Sequence, residues 1–236
     1  MTKTFRRILT GSAVLAAVAL VASPVADAFT PDADEPQTTG EFLTAVTQDT
    51  DRYWTGVFER AGLDEPRVRY AWIPAGQSVQ SACGANAMGD GAAAYCPADD
   101  TIYISEAFAD AIATGALDQA LPGSSQGFGR TYGDFAVAYI VAHEYGHQIQ
   151  NELGLFERGL PTVAYELQAD CFAGSWAKHV YDEQRLDETD VQEALDAALA
   201  VGDFNRDDPG HHGTPEQRRG AWYAGFESGD PRACTL

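Results

Sequence analysis

The chain has 236 residues, 45% of them hydrophobic, and a formal net charge of −20. That length holds one domain with a sizeable core, or at most two small ones. The acidity argues against nucleic acid and anionic membrane surfaces as partners, and fits a solvated coat that resists aggregation.

The chain opens with the layout of a secretory signal peptide. Lys3, Arg6 and Arg7 precede an apolar stretch from Ile8 to about Ala22, followed by the small-residue site Ala26-Asp27-Ala28. Cleavage after Ala28 removes three bases and one acid, so the mature chain carries −22. The alternative is an uncleaved membrane anchor, because the uncharged run from Ile8 to Ala26 can just span a bilayer; Gly11, Ser12 and Pro24 weigh against it. Residues 1–28 are therefore read as a signal peptide and the protein as secreted. Residues 29–39, rich in Pro, Asp and Thr, are read as a flexible mature N-terminus and 40–236 as a single domain.

An exported chain with four cysteines suggests two disulfides, with three possible connectivities. Pairing sequence neighbours gives a local staple, Cys83–Cys96, and a long one, Cys171–Cys234.

Apolar residues recur at helical spacing from Gly40 to Ala61, with Gly62 as a stop. Val68 to Pro74 alternates and is rich in β-formers, which predicts a strand. Ser78 to Asp100 reads as a Gly- and Ala-rich loop, and "TIYIS" (Thr101 to Ser105) as a second strand. That strand is either an ordinary sheet member or an edge on which an extended peptide could pair. A short helix is expected from Glu106 towards Leu121, a loop from Gly123 to Arg130, then a strong helix from Tyr132 to Leu153 and another from about Pro161 to Tyr181. A helix near Thr189 to Val201 starts on a Thr189/Gln192 capping box. The last helix starts on Thr214, Pro215 and Gln217 and runs to about Phe226. The result is an α+β fold: a mainly helical domain with a small sheet.

The strong helix carries His143-Glu144-Tyr145-Gly146-His147, an H-E-x-x-H motif. At 3.6 residues per turn the two imidazoles share a face and can reach one metal ion, with Glu144 beside them. A hydrolytic zinc site takes a third protein ligand and leaves a position open. The only other histidines are His179, His211 and His212, none shortly after His147, so the third ligand is a carboxylate or a later histidine. Glu166 follows His147 by 19 residues, past Gly154, Gly159 and Pro161, which can reverse the chain. Asp170, one turn on, shares its face and suits the carboxylate that accepts the second ring N–H of a ligand histidine. The run from Asp203 to Asp207 resembles the start of a calcium loop, but Asp208 and Thr214 stand where that loop needs Gly and Glu, so calcium is not expected.

Together, "AHEYGHQIQNELG", "ELQADCFAGSWA" and "HGTPEQRRGAWYAGFESGD", with the cysteine-bearing segment before them, resemble the neutral zinc metallopeptidase family, a bacterial group. The likeness runs from roughly Phe42 to Cys234 with the motifs in order. It implies a zincin-like fold and a gluzincin-type site holding one Zn2+ per chain through His143, His147 and Glu166, with Glu144 as catalytic base. It also supports the two cysteine pairs. His212 aligns with the family-like H-G-T and is the expected oxyanion donor, with His211 its neighbour and alternative. "GDGAAAYCP" departs from the shorter, aromatic-containing turn usual in the family, so this loop has its own shape. The expected activity is hydrolysis of peptide or protein substrates. Two other readings stay open: an exported, zinc-stabilised binding or assembly factor, and a zinc amidase acting on cell-wall material.

Overall fold

The computed structural model describes residues 38–84 and 86–236. The signal peptide and most of the expected flexible N-terminus lie outside the described residues.

Helix α1 (Thr39–Ala61) starts one residue earlier than the sequence suggests, because Thr38 and Glu41 form a reciprocal capping box, and it ends on Gly62 at φ 70°. Three strands follow: β1 (Arg69–Ile73), β2 (Ala93–Cys96) and β3 (Thr101–Ser105). They lie in the order β1-β3-β2, with β1 parallel and β2 antiparallel to β3. This corrects one expectation and decides another. The segment from Ser78 to Asp100 is not all loop, since β2 lies within it, anchored by the Cys83–Cys96 disulfide. "TIYIS" is the ordinary sheet member of the two readings, the central strand and buried along its whole length; the edges belong to β1 and β2. Ser105 N–H bonds to Ala92 O, so the alternation of an antiparallel ladder turns the main-chain groups of Ala93 and Tyr95 away from β3.

Ser105 caps α2 (Glu106–Thr114), which stops well short of Leu121 because Gly115 takes the left-handed conformation and closes the helix. Helix α3 (Asp134–Glu152) runs through the middle of the molecule. It is buried on nearly every side and packs against α1, α2, β2, α4 (Thr162–Asp182) and α5 (Glu188–Val201). Its cap residue is Gly133, which offers no side chain, so the orphan N–H of Phe135 is met from α5 by Glu193 at 3.1 Å. Helix α5 itself starts on an Asp187/Asp190 capping box, two residues earlier than Thr189/Gln192; the Asp187 carboxylate accepts from both Thr189 and Asp190 N–H.

Helix α6 (Pro215–Ser228) carries the Thr214/Gln217 box as expected. It crosses α4 almost backbone to backbone. A Cβ on Gly225 would stand 1.9 Å from Cys171 O, and one on Gly174 would stand 2.0 Å from Trp222 O. The Cys171–Cys234 disulfide ties the tail beyond α6 back to α4, and no cysteine is free. Two disulfides suit an oxidising compartment. Among the described residues no helix is long and apolar enough to cross a membrane.

Candidate metal and catalytic centre

The centre is built on α3 and α4, which run in opposite directions. Going up α4, Tyr165, Glu166 and Asp170 meet Gln150, the two histidines and Tyr139 in descending order on α3. Gly146 permits this approach: a Cβ there would lie 3.0 Å from Ala169 Cα. The reversal is made by Gly154 and Gly159, both left-handed, around a short 3-10 turn (Leu155–Arg158).

The two imidazoles stand 4.7 Å apart at 84° to each other. His143 Nε2 is 3.2 Å from Glu166 Oε2, and His147 Nε2 is 3.4 Å from Glu166 Oε1. Ligand atoms at 2.0–2.1 Å from a tetrahedral ion sit about 3.3 Å apart, so this triangle fits one small metal ion. The chemistry of the donors agrees. His143 Nδ1 lies 2.8 Å from Asp170 Oδ1 and His147 Nδ1 lies 2.9 Å from Gln150 Oε1, which leaves both Nε2 atoms turned inward and able to serve as ligands. Glu166 is thus brought to the histidines, and neither His211 nor His212 joins the cluster that can hold a metal.

The buried Asp170 is the hub of a charged network. It accepts from Tyr139 Oη at 2.7 Å and takes a bidentate pair from Arg218, with Nε to Oδ2 and Nη2 to Oδ1 both 2.9 Å. The same Nη2 lies 3.3 Å from each nitrogen of the His143 ring, so the guanidinium rests over the ring face. Burial would push the Asp170 pKa up, but the charges of Arg218 and His143 outweigh it and hold the carboxyl below its usual range. Burial likewise opposes a charged His143, yet Asp170 prevails over burial and over Arg218, lifting its pKa to about 9. Burial also raises Glu166, and hydrogen bonds from the two histidines bring it well below the ordinary value. In the metal-free protein a proton on His143 therefore does part of a cation's work.

Glu144 points the other way, towards the sheet, where its Oε2 accepts the Tyr95 N–H of the β2 edge at 2.7 Å. A cleft of about 400 Å³ opens beside this contact. Ala93, Phe108, Pro122, Ile140 and Val201 form apolar wall, and Glu144, His212 and Arg218 supply polar groups. His212 sits on the rim with its side chain 54% exposed, held through its own N–H to Asp203 Oδ2 at 2.8 Å. His211 is buried against the other Asp203 oxygen and does not line the cleft.

Arg218, Gln150, Tyr139 and the Tyr95 N–H are site features that sequence reasoning misses. Only Arg218 leaves a trace: it lies one turn before the buried Trp222, on the face that α6 turns inward.

An H-E-x-x-H helix joined by a glutamate from the next helix defines the class: a protein with a His-His-Glu cluster that could hold a metal ion. The chain belongs to the family described as "Putative neutral zinc metallopeptidase", whose model matches residues 19–236. It is 34% identical over 231 residues to "Uncharacterized protein YpfJ" of Escherichia coli (strain K12), covering 86% of this chain and 72% of that protein. It is 32% identical over 219 residues to "Uncharacterized protein Rv2575" of Mycobacterium tuberculosis (strain ATCC 25618 / H37Rv), covering 81% of this chain and 68% of that protein. No solved structure matches the chain.

Proposed function

We propose that this protein is a secreted, zinc-dependent peptidase with one zinc ion per chain. The observation that carries the reading is the triangle of His143 Nε2, His147 Nε2 and Glu166 beside a cleft whose opposite wall is an open strand edge. Zinc, when bound, supplies Lewis-acid polarisation of a carbonyl and a water made acidic enough to react near neutral pH.

The chain's own residues do the rest. Glu144 takes the proton of the attacking water and hands it to the leaving amine, which is general base and then general acid work. Its hydrogen bond from Tyr95 N–H keeps the carboxylate aimed between α3 and β2. With the Tyr95 N–H taken by Glu144, the outward N–H and C=O of Ala93 and the C=O of Tyr95 offer an extended peptide a strand to pair with, the role first considered for "TIYIS". Two groups can donate to the oxygen that gains charge. His212 does so from the rim. Arg218 does so through Nη1, the terminal nitrogen left over from its pair with Asp170 and without a hydrogen bond among the described residues. The apolar wall of Phe108, Pro122, Ile140 and Val201 favours a bulky apolar side chain next to the scissile bond. The substrate is then a peptide or protein, with no role for nucleic acid.

The test is a peptide-library digest comparing the wild type with Glu144→Gln, alongside metal analysis of both. Both proteins should hold close to one zinc, and only the wild type should cut, preferentially beside apolar residues. Zinc without cutting in the wild type would favour the binding-factor reading. Cutting of cell-wall amides but not peptides would favour the amidase. Cleavage unchanged in Glu144→Gln would remove Glu144 as base.

A further inference from the structure

The two metal-facing histidines are held by unlike partners, and the partner of His147 is the end of a chain of amides that reaches the C-terminal tail. His147 Nδ1 meets Gln150 Oε1 at 2.9 Å. Gln150 Nε2 donates to Tyr165 O at 2.7 Å and to Gln168 Oε1 at 3.1 Å. Gln168 Nε2 donates to Cys234 O at 2.8 Å, and Cys234 is bonded to Cys171 on α4. Gln150, Gln168 and Cys234 are all buried, so water does not compete for these groups.

An amide can be turned end for end, and its direction is fixed only by partners of one kind. Both ends of this chain rest on such partners, because a backbone carbonyl can only accept. Cys234 O obliges Gln168 to present its NH2 to the tail and its oxygen to Gln150. Tyr165 O obliges Gln150 to present its NH2 towards α4. Both N–H groups of Gln150 are then occupied, and only its oxygen is left for His147. An oxygen needs a donor, so the ring must present Nδ1–H to Gln150, and Nε2 is left facing Glu166 at 3.4 Å, where it can donate to the carboxylate or give its lone pair to an ion.

We infer that Gln150 is a positioning residue that sets the tautomer of His147, and that Gln168 carries the same instruction from the disulfide-bound tail. This rests on the metal-centre reading for its purpose, but not for its measurement. No charge takes part in the amide chain, so its demand for a proton on Nδ1 does not change with pH. The two partners are unequal: Tyr165 O alone can orient Gln150, so Gln168 reinforces a direction already given.

The experiment is 15N NMR of the histidine rings in metal-free protein across a pH series, with zinc affinity measured by competition against a chromophoric chelator. Wild-type His147 should carry a proton on Nδ1. Gln150→Leu should shift His147 towards the Nε2-protonated form and weaken zinc about 10- to 100-fold, the usual loss for a partner of a metal ligand. Gln150→Glu keeps an acceptor oxygen and should restore the Nδ1 proton; Gln168→Leu should weaken zinc by less than Gln150→Leu. A bare Nδ1 on His147 in the wild type overturns the inference, which holds the test even if Gln150→Leu does not fold. So does a folded Gln150→Leu with the Nδ1 proton and zinc affinity both intact. A wild type that binds no zinc would instead sink the metal reading and leave the ring measurement standing.

Discussion

The wall behind His143 and the wall behind His147 do the same job with opposite materials. Behind His143 stand a buried carboxylate, a buried guanidinium and a phenol drawn from three helices. Behind His147 stand two neutral amides and two backbone carbonyls. A charge taken out of water is tolerated only while its partner is present, so the first wall is all-or-none. A neutral amide left unmatched costs about 1–3 kcal/mol, so the second wall can lose a member and stand. The comparison teaches that one His-His-Glu triangle can have an acid-sensitive wall and an uncharged wall.

The largest effect should come from breaking the charged wall. Arg218→Leu strands Asp170 and should cost about 3–5 kcal/mol by urea denaturation. Arg218→Leu combined with Asp170→Leu should cost less than the sum of the single changes, since no charge is then left behind. Next is the tail. Replacing Cys171 and Cys234 by serine opens a loop of 63-residue separation, worth about 4 kcal/mol in the chain-entropy picture. The same change should also weaken zinc modestly by freeing the carbonyl that holds Gln168. Unchanged zinc affinity after that change would separate the tail from the centre.

Acid should sharpen the contrast further. The Asp170 carboxyl is held below its usual range in the folded state, with Arg218 the main charge opposing burial. A depressed folded pKa gives stability that is complete above the unfolded value, about 4, and is lost as pH falls through the folded value. Urea midpoints should therefore drop on acidification below about pH 4 in the wild type and in Gln150→Leu alike. Arg218→Leu should flatten that limb. A Gln150 variant that altered the acid limb would mean the two walls are not separate.

How much of this was readable beforehand follows from where each feature gets its instructions. The H-E-x-x-H face, the α6 capping box and the Glu166/Asp170 spacing are local patterns, and the structure brings these side chains together as the spacing implies. Strand β2 was hidden because Ala93-Ala94-Tyr95-Cys96 lacks β-branched residues; pairing with β3 and the cross-link to Cys83 make it a strand. That pairing also decides that "TIYIS" lies in the middle, which no property of its five residues reveals. His211 and His212 are adjacent and alike, and only Asp203, eight and nine residues earlier, sends one inward and leaves the other on the rim. Gln150 looks like any polar residue of a helix until α4 is laid against it.

The smallest expected change probes what the two walls share. Both hang on α4, which supplies Asp170 to one and Gln168 and Tyr165 to the other, and α4 is seated on α3 at Gly146. A methyl there would lie 3.0 Å from Ala169 Cα, 3.1 Å from its oxygen and 3.2 Å from its Cβ. These are backbone and near-backbone atoms, so relief requires the helices to part by a few tenths of an ångström. Against that, alanine improves helix propensity by about 1 kcal/mol. Gly146→Ala should thus leave stability within about 1 kcal/mol of wild type, because crowding and propensity offset. Metal affinity has no such offset. Glu166 lies one turn from Ala169 and moves with α4, while both histidines stay on α3, so the triangle opens on both of its cross-helix edges. Chelator competition should show zinc weakened several-fold in a protein whose urea curve is nearly unchanged. Equal loss in both measurements would mean the glycine serves packing alone. Loss in neither would mean that the triangle tolerates a shift of α4, and that each wall repositions its histidine independently.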